Sequence, residues 1–92
     1  SGWERYLGRY RSRSVDMQVL VLEGELVGID PSQPDPIPDL IRFRPVSEHA
    51  FRIESGNGSA SIGEVTVFEI DARGRVERLK LGANYMERVE EW

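Results

Sequence analysis

Ninety-two residues are enough for one domain with a modest core, and too few for a catalytic fold with a second unit attached. With 39% hydrophobic and 30% charged residues the chain has the composition of an ordinary folded protein. A net charge of −4 argues against nucleic-acid binding, and the absence of cysteine excludes disulfides, zinc ribbons and thiol chemistry.

The chain opens on Ser1-Gly2 without methionine and reads as a piece of a longer polypeptide. Its first element is "YLGRYRSRS", Tyr6 to Ser14, read as a strand in which Tyr6, Gly8 and Tyr10 share one face and Arg9, Arg11 and Arg13 the other. A stacking platform for bases needs rings and cations on the same face, so this pattern speaks for a barrel strand with tyrosines inside and arginines in solvent. Gly8 supplies the bend that closing a barrel requires.

"MQVLVL" (Met17 to Leu22) and "ELVGI" (Glu25 to Ile29) form a hairpin across Glu23-Gly24, where glycine can take a positive φ. "DPSQPDPIP", Asp30 to Pro38, holds four prolines and must be an exposed loop, since proline lacks the donor N–H that a sheet interior needs. Its P-x-x-P from Pro31 to Pro34 has no flanking basic residue and reads as structural.

"LIRFRP" (Leu40 to Pro45) and "AFRIE" (Ala50 to Glu54) pair around "VSEH", and "SGNGS" (Ser55 to Ser59) makes a polar turn. "EVTVFEID" (Glu64 to Asp71) and "RVERLKL" (Arg75 to Leu81) flank "ARG", with Gly74 at the left-handed position of a bulged turn. Gly82 to Asn84 lead into "YMERV", Tyr85 to Val89. The expected fold is all-β, a small antiparallel up-and-down barrel of about eight strands occupying residues 1–92 as one domain. Closure removes the edges that a chain with so little helix would otherwise leave open.

No reactive set accompanies this fold. S-x-x-K and G-x-S-x-G are both absent, and the single histidine, His49, sits beside Glu48 in an expected solvated turn. Glu64, Glu69 and Asp71 do not fall on one face, and the calcium-loop pattern is missing, so no metal and no cofactor are expected. The glycines lie between strands and lack the helix N-terminus of a phosphate cradle. Asn57-Gly58-Ser59 matches a glycosylation sequon, which matters only in a eukaryotic secretory pathway. No apolar run reaches the roughly 18 residues a membrane span needs.

Four segments in order carry a resemblance: "YLGRYRS", "LVLEGELVG", "LIRFRPVSEHAFRIE" and "EVTVFEIDARGRVERLKLG". Together, from about Trp3 to Arg88, they resemble the lipocalin-like domain that follows the catalytic domain in many serine β-lactamase-like hydrolases of the penicillin-binding class. The proline-rich loop looks like an insertion. The resemblance implies a non-catalytic C-terminal barrel, packed against the catalytic domain of the same polypeptide or holding copies of the protein together. It also implies a periplasmic or extracellular setting. Large aromatics near the chain ends, Trp3, Tyr6 and Trp92, are the candidate interface residues, with core packing the competing role for Tyr6. The alternative is a carrier of a small apolar ligand inside the barrel, lined by Tyr10, Phe43, Phe51 and Phe68.

Overall fold

The computed structural model describes residues 3–13, 16–35, 40–55 and 62–89. Eight strands follow a short 3-10 turn, Glu4–Tyr6: β1 (Gly8–Arg11), β2 (Asp16–Leu22), β3 (Glu25–Ile29), β4 (Ile41–Ser47), β5 (Ala50–Ser55), β6 (Val65–Ile70), β7 (Val76–Leu81) and β8 (Asn84–Val89). Each strand pairs antiparallel with its sequence neighbour. β8 also pairs with β1, with Tyr10 opposite Arg88, and the sheet closes as an up-and-down barrel of the lipocalin-like kind. The hairpins expected from alternation are all present.

Each link has a local cause. At Glu23-Gly24 both residues take positive φ, 53° and 80°, which matches a two-residue turn to the twist of its strands. Before β7, Gly74 takes φ 81° and the register slips between Glu69 and Ile70, the bulge that the "ARG" segment announced. Asp71 caps this turn: its carboxylate accepts from the backbone N–H of Arg75 and Arg73, and those hydrogen bonds hold it below the usual aspartate range.

Two expectations need correction. The opening strand does not begin at Tyr6. Gly8 has φ 148°, a conformation side chains rarely adopt, and the chain before it leaves the strand path and turns across the end of the barrel. Further on, β4 does not stop at Pro45. It continues to Ser47 through a register shift between Pro45 and Ser47, where a missing N–H is tolerated, and the link to β5 shrinks to Glu48-His49.

Because links alternate between the two ends, one end carries the 3-10 turn and the short turns at 23–24, 48–49 and 71–75. The other carries the connections 12–15, 30–40, 56–64 and 82–83. The first is called here the lid end, the second the loop end. Of the proline-rich segment, Asp30 to Asp35 is described and its prolines Pro31 and Pro34 lie outside any strand, as expected; Pro36 and Pro38 lie outside the described residues. Most of "SGNGS", with its sequon, also lies outside them.

The core fills the barrel with inward side chains of all eight strands plus Tyr6. β3 departs from alternation: Leu26 and Gly28 face inward, yet Val27 between them is also fully buried. Gly28 is there for space, since a Cβ would come within 2.8 Å of the Met17 sulfur. No helix among the described residues is long and apolar enough to cross a membrane.

Candidate functional site

The four rings expected to line a ligand cavity pack on one another. Tyr10, Phe43, Phe51 and Phe68 are all buried, and Phe68 stands at the centre, with ring centroids 4.7 Å from Tyr6, 5.5 Å from Phe51, 5.8 Å from Tyr10 and 6.3 Å from Phe43. Most of these pairs are edge to face, the arrangement in which the positive rim of one ring meets the negative face of the next. A guest in this part of the barrel would have to displace the protein's own rings.

The interface candidates separate. Tyr6 belongs to the core at 5% exposure, so its ring is not presented to a partner. Trp3 is half-buried, packed edge-on at 5.4 Å against Phe51. Trp92 lies outside the described residues.

Three residues fasten the lid, Arg88, Tyr10 and His49, and none of them was expected in that role. Arg88 pairs with the inward Tyr10 and therefore points into the barrel beneath the 3-10 turn. Its guanidinium donates to the carbonyls of Leu7 at 2.7 Å, Arg5 at 3.2 Å and Val76 at 3.3 Å, tying the lid to β7. The signal was available: Met86 and Arg88 are two apart, so if one faces inward the other must. Tyr10 donates its phenolic proton to the Tyr6 carbonyl at 2.8 Å, and burial pushes its pKa up to about 12, with Arg88 opposing. His49 is not a solvated turn residue: its Nδ1 lies 2.8 Å from the Tyr6 hydroxyl, and its backbone is held at φ 65° with the carbonyl accepting from Phe68 N–H. Nothing in the local sequence announces this, because the partner is 43 residues away.

Thr66 is fully buried on the inner face of β6, and its hydroxyl has no hydrogen-bond partner among the described residues. A buried orphan of this kind costs about 1–3 kcal/mol unless a water or a ligand atom meets it.

The outer surface has two distinct faces. Glu69, Arg78, Glu87, Arg11 and Asp16 stand opposite one another across β6–β7–β8–β1–β2, with charges alternating in sign along the row. Arg78 Nε donates to Glu69 at 2.7 Å and Arg11 grips both oxygens of Asp16 at 2.9 and 3.0 Å. The Arg78 guanidinium also sits 4.2 Å over the Tyr85 ring. This face satisfies itself.

The face of β4–β6 does not. Arg44 and Arg52 are directly opposite each other, Val65 is opposite Arg52, and Val46 in the β4 bulge is 46% exposed. Glu54 pairs with Arg44 at 3.2 Å, while Arg52 has no side-chain partner among the described residues.

At the loop end a groove of about 440 Å³ lies between the outward side of β1 and the start of the β3–β4 connection, lined by Arg9, Arg11, Arg13, Asp16, Asp30 and Ser32 among others. Among the described residues no three acidic or histidine side chains gather as a metal site. In comparisons with known proteins, no family model matches the chain and no curated protein is significantly similar to it.

Proposed function

We propose that the chain is a non-catalytic accessory barrel, attached to a serine hydrolase of the β-lactamase-like class, that acts by packing its outer surface on a catalytic domain or on a second copy. The observation that carries this is the unmatched β4–β6 face. Like charges directly opposite on a sheet are destabilising in isolation, and exposed valines beside them gain by being covered. A partner surface with carboxylates around an apolar centre would relieve both. The hydrolase itself enters only through the resemblance of the four ordered segments, and the barrel they were expected to form supports carrying it forward.

The test uses the full-length protein. Arg52→Glu and Val65→Glu lie on exposed strand positions and should leave the barrel folded while altering substrate turnover or solution mass. If deletion of this domain and both substitutions leave turnover and mass unchanged, the accessory role fails.

A second function has one observation in its favour. The orphaned Thr66 hydroxyl inside the barrel is a ready anchor for the polar atom of a small, otherwise apolar ligand, as the carrier alternative requires. Native mass spectrometry of protein purified under gentle conditions checks it: a co-purifying mass lost in Thr66→Val supports a carrier.

A further inference from the structure

The groove at the loop end combines a ligand-sized volume with converging cations, a pairing the accessory role does not use. About 440 Å³ lies within the range of small-molecule sites, roughly 300–1,000 Å³. Arg9 and Arg11 line it from alternate positions of β1, and Arg13, two residues past the end of that strand, adds a third guanidinium side chain to the lining.

Two carboxylates also line the groove, and both are engaged by their own chain. Asp16 receives Arg11 through two parallel hydrogen bonds and lies 3.9 Å from Arg9, so its acceptors face the arginines that it positions. Asp30 accepts the backbone N–H of Ser32 at 2.9 Å and its hydroxyl at 2.7 Å. The hydrogen bonds from Arg11 and from Ser32, respectively, hold these carboxyls below the usual aspartate range, so both stay ionised at neutral pH. Arg13, by contrast, has no side-chain partner among the described residues, and Asp16 occupies only one edge of the Arg11 fork. Each guanidinium presents about five N–H donors in a plane that matches an oxyanion.

We propose that this groove binds a small organic anion through a phosphate or carboxylate group, held by Arg13 and the open edge of Arg11 with Arg9 adding charge from the β1 side. Asp16 is a positioning residue that holds Arg11 in place, and Asp30 limits the affinity by lining the same space with negative charge. The overall charge of −4 opposes approach only weakly, because at physiological salt charges beyond about 8 Å are screened.

The test is a titration of the protein followed by the NMR resonances of its arginine Nε–H groups, at constant ionic strength. Inorganic phosphate forms one arm, citrate the other and chloride the control, so the arms also tell which oxyanion is preferred. The expected result is saturable shifts confined to Arg9, Arg11 and Arg13, with Kd below about 10 mM for at least one probe. Arg13→Gln should weaken binding about threefold to tenfold, and Asp30→Asn, which keeps an oxygen for Ser32, should strengthen it. Arg44→Gln changes the net charge equally on another face and should leave affinity unaltered. Shifts that stay linear to about 50 mM, affinity unmoved by Arg13→Gln, or an equal loss in Arg44→Gln would each overturn the proposal.

Discussion

The two ends of the barrel are built on opposite plans. At the lid end, inward side chains do the work: Tyr10 and Arg88 donate to backbone carbonyls, the Tyr6 hydroxyl meets the His49 ring, and the strand links are short. At the loop end two of the connections, 30–40 and 56–64, are long, the first of them carries the prolines, and charged side chains line a groove. Side-chain hydrogen bonds fasten one end, and polar groups collect around the groove at the other.

The largest effect that can test this contrast is removal of the ring at the centre of the lid-end cluster. Phe68→Ala deletes contacts to four aromatic neighbours in a space that closed strands cannot easily collapse, and should cost about 3–5 kcal/mol, read as a lowered urea midpoint or outright loss of folding.

Next in size is alkaline unfolding. Tyr10 has its folded pKa raised above the unfolded value of 10.0 to about 12, so its neutral form is favoured by the native state. Its contribution is therefore complete below pH 10 and is lost as pH rises toward 12, up to about 2–3 kcal/mol for a shift of this size. Circular dichroism alongside tyrosinate absorbance should show Tyr10 ionising with unfolding, and its free titration near pH 10 in the folded protein would refute the buried hydrogen bond.

Arg88→Lys keeps the charge but cannot donate to three carbonyls at once with the geometry of the fork. The expected loss is about 1.5–3 kcal/mol, with faster amide hydrogen exchange at Tyr6 and Leu7, whose N–H groups close the 3-10 turn. Unchanged exchange there would mean that the lid is held by its rings alone.

Thr66→Val replaces an orphan hydroxyl with a methyl of the same shape and should raise stability by about 1 kcal/mol. A loss instead would reveal a partner for that oxygen. Asp16→Asn belongs to the loop end and should do least, moving the melting temperature by no more than about 4 °C, because exposed ion pairs contribute little.

Much of the fold was legible before any coordinates. Alternation marked β2, β3, β6 and β7, and the glycines of Glu23-Gly24 and Ala72-Arg73-Gly74 marked the hairpins between them. The candidate site was legible only in part. Tyr10, Phe43, Phe51 and Phe68 were recognised as inward, but whether inward rings surround a guest or meet each other depends on distances across the barrel. Tyr6 was assigned to a strand because period two continues smoothly through Leu7. The backbone turns there instead, with Gly8 at φ 148° and the Arg88 guanidinium holding the carbonyls of Arg5 and Leu7.

What the sequence by itself determined is therefore the fold class: strand periods and turn chemistry are local properties, written within a few residues. The lid clasp of Arg88, the bond from Tyr6 to His49, the unmatched Arg44–Arg52 face and the arginine groove were decided by tertiary structure alone. Each joins residues from separate strands, and their meeting is set by closure and register of the barrel, which no short stretch of chain encodes.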